Sequence, residues 1–262
     1  MKLIFYILSM FIIITVQSFS SESKIEVGID EKLGDYLPLD AKFSDENGNQ
    51  IILGEVLSKP TILVFVYYDC PGICSPLLME IADVINRTDL VIGVDYNIIN
   101  ISMDQLEKPE LAFSKKNDFF QLIDKQIPPE SWLFLTGDSI EIRKVSDAAG
   151  FYFKRQGKDF LHSGALIFID TNGKVCRYLF PAYTDSKGFG IAPFDFKMAV
   201  LETSEGRISP TIARVLQFCF SYDPEAKTYV LNLTRIFGAG ILVLVAVFAV
   251  IFLRKPKNVT KK

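Results

Sequence analysis

The chain has 262 residues, of which 49% are hydrophobic and 23% charged, and this is enough for one well-buried domain with accessory segments. Its formal net charge of −3 leaves no excess of lysine and arginine to neutralise a phosphate backbone, so we expect no nucleic acid partner. The sequence has no phosphate-binding glycine motif, and its single histidine excludes a His-pair metalloprotease.

Residues 1–20, MKLIFYILSMFIIITVQSFS, have the layout of a signal peptide. A positive charge at Lys2 precedes an apolar run over residues 3–16, and small residues follow before the sequence becomes polar. An uncleaved anchor helix is the alternative, but the apolar run is shorter than a bilayer span requires. Residues 21–35 are polar and contain scattered glycines, which predicts an irregular lead-in to the folded domain.

The first regular elements are predicted to be strands. The segment DENGNQIILGEVL contains a turn at Asn47–Gly48 followed by apolar residues, a pattern typical of a hairpin. Residues 61–68, TILVFVYY, are continuously β-branched and aromatic, as in a strand that is buried on both faces. This strand is therefore the expected centre of the sheet.

Two cysteines follow this strand, in the segment YYDCPGICSPLL. Apolar residues spaced for one helical face then run from Pro76 to Ile85, with Ser75 as the expected N-cap. This arrangement places Cys70 and Cys74 at the N-terminus of a helix.

The remaining elements continue the alternation of strands and helices. We predict strands at 96–103 and 132–136, helices at 108–123 and 139–149, a hairpin of 164–170 and 174–180 around DTNG, and a last helix at 193–205. The order predicts an α/β fold with a mixed sheet and helices on both faces.

Near the C-terminus, a linker over 208–235 leads to an uninterrupted apolar run over 236–253, IFGAGILVLVAVFAVIFL. As a helix, this run is about 27 Å long and can just cross a bilayer core of about 30 Å. The tail at 254–262, RKPKNVTKK, is basic and is therefore predicted to be cytoplasmic. We expect a single-pass protein of a bacterial inner membrane, with its soluble domain in the periplasm or on the outer side.

Outside the cytoplasm, a cysteine pair is a disulfide, a redox couple or a metal site. Thiols at a helix N-terminus tend to have a lowered pKa, which favours the thiolate. Redox couples usually have two intervening residues, whereas Cys70 and Cys74 have three, and this spacing modestly favours metal.

The single histidine lies in KDFLHSGALIFID. A lone histidine is usually a surface or a satisfied interior residue. However, His162 is predicted to begin a strand after a loop that contains Gly157, where an α/β sheet presents residues to its strand-end crevice. Two thiolates and one imidazole suit Cu(I) and are similar to the equatorial ligands of thiolate-bound Cu(II), whereas zinc would require a fourth ligand or a water.

The segments CPGIC after a hydrophobic strand, DFLHS before the next strand, and the DTNG turn together resemble the Sco/SenC family of copper-binding proteins, which take part in assembling cytochrome c oxidase. The resemblance covers about residues 36–207 and implies a thioredoxin-like domain there. It implies that Cys70, Cys74 and His162 bind copper, as Cu(I), Cu(II) or both. It also implies delivery of copper to the binuclear centre of oxidase subunit II, or reduction of the cysteines of that centre, with subunit II or its assembly factors as partners.

The sequence departs from this family in two respects. Many members have an acidic residue immediately before the histidine, where this chain has Leu161, so any orienting role of the acid is absent or moves to Asp159 or Asp69. Many members are also anchored at the N-terminus, whereas the predicted anchor here is C-terminal.

Three functions remain open from the sequence. The first is a membrane-tethered copper chaperone, which is not an enzyme. The second is a thiol-disulfide oxidoreductase, in which Cys70 attacks the client and Cys74 resolves the mixed disulfide. The third is an adaptor with an inert Cys70–Cys74 bridge. The other cysteines, Cys176 and Cys219, are expected to be small buried hydrophobic residues, with a mutual disulfide or a resolving role for Cys219 as alternatives.

Overall fold

The computed structural model describes residues 26–184, 188–209, 220–223 and 228–231, together with four helical positions at 241, 244, 245 and 248. The predicted signal peptide at 1–20 and the basic tail at 254–262 lie outside these residues, as do most of the predicted linker and of the apolar run at 236–253. In the described part of the chain, no helix combines the length and the apolar character needed to cross a membrane.

The described strands are β1 (Gly28–Ile29), β2 (Lys42–Ser44), β3 (Gln50–Ile52), β4 (Thr61–Val66), β5 (Asn97–Ser102), β6 (Trp132–Leu135), β7 (Phe151–Tyr152), β8 (Lys154–Gln156), β9 (Asp159–Leu161), β10 (Leu166–Ile169), β11 (Val175–Leu179), β12 (Ala182–Thr184), β13 (Gly188–Gly190), β14 (Phe220–Asp223) and β15 (Thr228–Leu231). The described helices are α1 (Leu53–Val56), α2 (Cys74–Arg87), α3 (Pro109–Phe120), α4 (Ser139–Ala148) and α5 (Pro193–Ser204), with a 3₁₀ turn at Pro129–Ser131.

Five strands form the central sheet, in the order β11-β10-β4-β5-β6. The strands β4, β5 and β6 are parallel, whereas β10 is antiparallel to both β4 and β11, so the sheet is mixed as predicted. All six residues of β4 are buried, which confirms that the apolar segment after residue 60 is the central strand. The predicted hairpins at Asn47–Gly48 and around DTNG are also confirmed, as β2–β3 and β10–β11.

Helices cover both faces of the sheet. Phe168 of β10 pairs with Ile62 of β4, so their side chains share a face, and on that face Phe196 of α5 packs on Phe168. Because side chains alternate along a strand, Phe65 of β4 points to the opposite face. There it stacks on Phe151 of β7, and β7 packs against α4.

Both edges of the sheet are paired with neighbouring chain segments. The N–H of Gly34 donates to the Val175 carbonyl, and the N–H of Val175 donates to Asp35, so the lead-in covers the β11 edge. At the other edge, Ser44 and Thr136 exchange backbone hydrogen bonds beside β6. Paired edges protect the sheet from adding a strand of another chain.

Two local predictions need correction. Helix α2 begins at Cys74, so Ser75 is not its N-cap and Pro76 is its third residue. Proline is tolerated there because the first N–H groups of a helix have no partner within the helix. The hairpin β8–β9, which turns at Gly157, was not predicted because its strands are short and β8 is fully exposed, so it has no apolar alternation.

Candidate metal site

The two thiols of the site are presented by the connection between β4 and α2. Cys70 lies within this connection and is half-buried, whereas Cys74 is the first residue of α2 and is buried. The backbone N–H of Gly72 donates to the Cys70 sulfur at 3.3 Å. The turn between the cysteines therefore folds back on the first thiol and directs it toward the second.

The imidazole of the site comes from a different part of the chain. His162 directly follows β9 and lies in the connection to β10. The prediction that it begins a strand is therefore wrong. The turn at Gly157 is followed by the separate strand β9, which ends just before His162. A Cβ atom placed on Gly164 would lie 3.7 Å from Leu77 and 3.9 Å from Ile73. The connection thus passes against the N-terminal turn of α2, and this contact brings His162 to Cys74.

The three predicted ligands come together. The Sγ atoms of Cys70 and Cys74 and a ring nitrogen of His162 all lie within 4.8 Å of one another. The Cys74 Sγ atom is 3.6 Å from His162 Nε2. Among the described residues, this is the one group of three such side chains close enough to share a metal ion.

The backbone fixes the tautomer of His162. Its Nδ1 atom lies 2.9 Å from the Ser163 carbonyl oxygen, and a carbonyl can only accept a hydrogen bond, so Nδ1 carries the proton. The Nε2 lone pair is then free to bind a metal beside the sulfurs. Neither Asp159 nor Asp69 takes the orienting role, which belongs to the backbone instead, and Leu161 is 47% exposed.

The two thiols differ in their affinity for a proton. Hydrogen bonds from the Cys74 thiol and from the N–H groups of Cys74 and Gly72 hold the pKa of Cys70 well below its usual range, although burial opposes them. The hydrogen bond to Cys70 and burial both raise the pKa of Cys74. The hydrogen bond between the two sulfurs therefore favours the thiolate at Cys70 and the thiol at Cys74.

The prediction of a lowered thiol pKa at a helix N-terminus is thus correct for Cys70 and wrong for Cys74. Burial of Cys74 and the shared proton outweigh the favourable position at the first residue of the helix.

An acidic residue that the sequence did not single out supports the thiol connection. The Glu107 carboxylate accepts hydrogen bonds from the N–H groups of Tyr68 and Asp69, each at 2.8 Å, and from the Ser102 hydroxyl at 2.6 Å. Burial raises the pKa of Glu107, and these donors lower it in part. Glu107 therefore holds the backbone just before Cys70. Its only signal in the sequence is its position after the end of a central strand.

An open groove of about 620 Å³ lies beside the site. Tyr67, Asp69 and Pro71 line one part of it, and Arg155 and Asp159 of the β8–β9 hairpin line another. The groove gives a second molecule access to the thiol connection.

The remaining cysteines are not part of this site. Cys176 lies in β11 and is fully buried, with its thiol 3.5 Å from the Lys174 carbonyl, as expected for a small buried residue. Cys219 lies outside the described residues, and so does the alternative of a Cys176–Cys219 disulfide.

A mixed α/β domain with one thiol just before a helix, a second at its first residue and an imidazole within ligand distance defines a thioredoxin-like protein with a thiol-based site. The SCO1/SenC family model matches residues 38–189, more than half of the 262 residues. The chain therefore belongs to the SCO1/SenC family, as the motifs predicted.

Two solved structures show the same fold, and a third is less similar. A candidate electron transfer protein from Aquifex aeolicus VF5 is 22% identical, with a TM-score of 0.58 over 67% of this chain and 96% of that one. A SCO1/SenC family lipoprotein from Bacillus anthracis str. Ames is 18% identical, with a TM-score of 0.50 over 66% of this chain and 99% of that one. Arabidopsis thaliana ScoI with copper bound is 20% identical, with a TM-score of 0.48 over 66% and 99% of the two chains. No curated protein matches the chain.

Proposed function

We propose that this protein is a membrane-tethered copper chaperone that binds one copper ion through the thiolates of Cys70 and Cys74 and the imidazole of His162. The observation that carries the proposal is the convergence of these three ligand atoms within 4.8 Å. Membership of the SCO1/SenC family supports the same function.

The donor set favours copper over zinc. Two sulfurs and one imidazole nitrogen form a soft site with few ligands, which suits Cu(I). Structural zinc sites are four-coordinate, and no fourth cysteine, histidine or acidic ligand joins this group among the described residues.

We infer that copper is cargo and leaves by ligand exchange. Cys70 is half-buried and its neighbours Asp69 and Pro71 line the groove, so the thiolate or imidazole of an acceptor can approach the metal from that side. The family resemblance supports the binuclear copper centre of cytochrome c oxidase subunit II, or its assembly factors, as the acceptor. The signal-like segment at 1–20, the apolar run at 236–253 and the basic tail support a domain held outside a bacterial inner membrane.

Copper titration of the purified full-length chain tests the proposal. The wild type is expected to bind one copper ion and to show a Cu(II)–thiolate charge-transfer band. Cys70→Ser, Cys74→Ser and His162→Ala should lose the band, whereas Cys176→Ser, at a buried cysteine outside the site, should keep it. Wild-type binding by all three site variants would rule the proposal out.

A second candidate function is thiol-disulfide exchange, and the unequal thiol pKa values favour it. The Cys70 thiolate would attack a client disulfide and release one client thiol, and Cys74 would then displace the second. The client gains two electrons, the Cys70–Cys74 pair becomes a disulfide, and a dithiol protein must reduce that pair again. Oxidase maturation in a His162→Ala strain separates the two functions, because exchange should survive this substitution and copper delivery should not.

A further inference from the structure

One short segment, the connection between β5 and α3 at residues 103–108, contacts both halves of the site. The backbone N–H of Met103 donates to the Val66 carbonyl at 2.7 Å, so this connection leaves the sheet beside the last residue of β4. The thiol connection leaves the sheet at the same point, because Tyr67 directly follows Val66. The two connections therefore begin side by side, at the ends of neighbouring parallel strands.

Glu107 fixes the thiol connection. One of its carboxylate oxygens accepts the Asp69 N–H and the other accepts the Tyr68 N–H, each at 2.8 Å. The Ser102 hydroxyl donates to the second oxygen at 2.6 Å, so the carboxylate itself is held in place. Asp69 is exposed and lies outside the helices and strands, and Glu107 is the one acceptor for its N–H among the described residues. Cys70 follows directly, so the position of its backbone depends on this carboxylate.

Asp104 connects the same segment to the hairpin β8–β9. Its carboxylate, with the side chain 13% exposed, pairs with the Arg155 guanidinium of β8 and accepts the Leu106 N–H at 2.9 Å. The guanidinium lies 4.4 Å from the centre of the Phe160 ring, and Arg155 and Phe160 are partners across the hairpin. Strand β9 ends directly before His162. The ion pair therefore holds the hairpin that carries the imidazole against the connection that holds the thiols.

We propose that the β5–α3 connection is a positioning element of the copper site, in which Glu107 sets the place of the thiols and Asp104, through Arg155, sets the place of His162. The inference rests on the copper-binding function proposed above. None of these three supporting side chains belongs to the group of ligands, so each acts by restricting a segment that carries a ligand. A site that is arranged beforehand binds copper more tightly, because less ordering is required when the metal arrives.

Amide hydrogen exchange of the metal-free full-length chain, resolved by NMR, tests the role of Glu107. The Asp69 N–H should be protected in the wild type, although the residue is exposed. In Glu107→Gln one carboxylate oxygen becomes an NH₂ group, which cannot accept, so either the Tyr68 or the Asp69 N–H loses its acceptor. That N–H should exchange about tenfold faster, the equivalent of one hydrogen bond.

Two controls accompany this measurement. The Met103 N–H should keep its wild-type rate in Glu107→Gln, because its acceptor is the Val66 carbonyl. Glu110→Gln makes the same chemical change at an exposed position whose carboxylate accepts no hydrogen bond from the described residues, and it should change neither rate. An unprotected Asp69 N–H in the wild type, or unchanged rates in Glu107→Gln, would refute the role of Glu107. If circular dichroism shows that Glu107→Gln does not fold, the wild-type protection decides.

The mobility of the imidazole tests the role of Arg155. His162 is the only histidine in the chain, so isotope-labelled histidine gives a single imidazole signal by NMR. Arg155→Met should make the ring of the metal-free protein more mobile, seen as a lower order parameter or as exchange broadening, and Arg155→Lys should restore part of its rigidity. Lys154→Met is the matched control, because this neighbouring cation pairs with Glu26 where both side chains are exposed, at 54% and 78%. Equal mobility in Arg155→Met and the wild type would refute the role of Arg155.

Copper affinity shows whether this positioning matters to the site. In competition with a Cu(I) chelator, Glu107→Gln and Arg155→Met should each raise the dissociation constant about 10–100-fold, the usual range when support for a ligand is lost. Glu110→Gln and Lys154→Met should bind as the wild type does.

A double-mutant cycle with His162→Ala assigns the two routes, since Cu(I) can still bind to the two sulfurs without the imidazole. Arg155→Met should have no further effect in the His162→Ala background, whereas Glu107→Gln should still weaken binding. An effect of Arg155→Met that is equally large in this background would refute the route through His162.

The outcomes distinguish this inference from the proposed function. If the wild type binds no copper, the chaperone function fails, and amide exchange and ring mobility, both measured without metal, still decide whether the connection holds the two segments. If the wild type binds copper, and Glu107→Gln and Arg155→Met bind it equally well, the positioning role is refuted while the function stands.

Discussion

Cys70 and Cys74 show how the same side chain acquires opposite properties within one short turn. Cys70 is half-buried and accepts hydrogen bonds from several donors, whereas Cys74 is buried at the start of α2 and donates a hydrogen bond to the Cys70 sulfur. The first is thus prepared to bind metal or attack a disulfide. The second must lose its proton when a metal binds.

This difference predicts the alkylation behaviour of the metal-free protein. Because the pKa of Cys70 is lowered, its thiolate is already present at acidic pH, and its reaction with iodoacetamide should be nearly constant between about pH 5 and pH 8. An ordinary thiol with a pKa of about 8.5 reacts roughly tenfold faster for each pH unit over most of this range. Mass spectrometry of the modified peptides measures both rates.

Cys74 and Cys176 serve as internal controls and should stay unreactive over the same range. The hydrogen bond to Cys70 and burial raise the pKa of Cys74, and burial raises that of Cys176. A rate at Cys70 that climbs with pH as in a free peptide would contradict the assignment of the thiolate.

At the level of elements, short connections determine where the functional groups lie. The thiols are presented between β4 and α2, and the imidazole is presented between β9 and β10. The lead-in is also fixed by a short pairing with another segment. Its strand β1 pairs with β7, and the N–H of Asp30 donates to the Gly150 carbonyl at 2.8 Å.

Gly150 is predicted to be essential to this pairing. Its φ is +60°, and an added Cβ would lie 1.8 Å from the Asp30 carbonyl oxygen, so Gly150→Ala must displace the lead-in. We expect a loss of about 1–3 kcal/mol in the free energy of unfolding, measured by urea denaturation.

The matched control is Gly48→Ala, at a glycine with φ +82° and no atom within 4 Å of an added Cβ. It should cost less, because it adds backbone strain without a collision. Equal losses for the two variants would mean that the contact with Asp30 does not matter.

At the level of the whole molecule, a buried ion pair connects the N-terminal hairpin to the helical layer and the sheet edge. The Lys116 ammonium of α3 binds the Glu46 carboxylate and donates to the Pro129 carbonyl at 2.7 Å. Glu46 also accepts the Phe134 N–H of β6 at 3.2 Å. Each charge is therefore satisfied by groups from distant parts of the chain.

Removing one partner of this pair should destabilise the fold. Lys116→Met leaves the Glu46 carboxylate buried without its cation, and we expect a loss of about 3–5 kcal/mol in guanidinium unfolding. The double variant Glu46→Met with Lys116→Met should recover part of this loss, because no unpaired charge remains. A single variant as stable as the wild type would show that water satisfies the carboxylate.

Much of the fold could be predicted because its signals are local. The apolar run of β4, the turns at Asn47–Gly48 and DTNG, and the helical spacing after Cys74 each report on a few neighbouring residues, and all correspond to elements of the structure. The start of α2 and the β8–β9 hairpin were missed, because proline is permitted in a first helical turn and short exposed strands have no apolar pattern.

The sequence by itself determined the order of the main strands and helices, the family, and the residue types of the site, because periodicity and motif spacing are properties of neighbouring residues. Only the tertiary structure decided that Cys74 and His162, 88 positions apart, meet at 3.6 Å, which histidine nitrogen faces the sulfurs, and which thiol keeps the proton. Those properties depend on burial and on hydrogen bonds between distant segments, such as Glu107 with the thiol connection and Tyr67 with His162. Such contacts form when the sheet brings its strand ends together, and no local pattern encodes them.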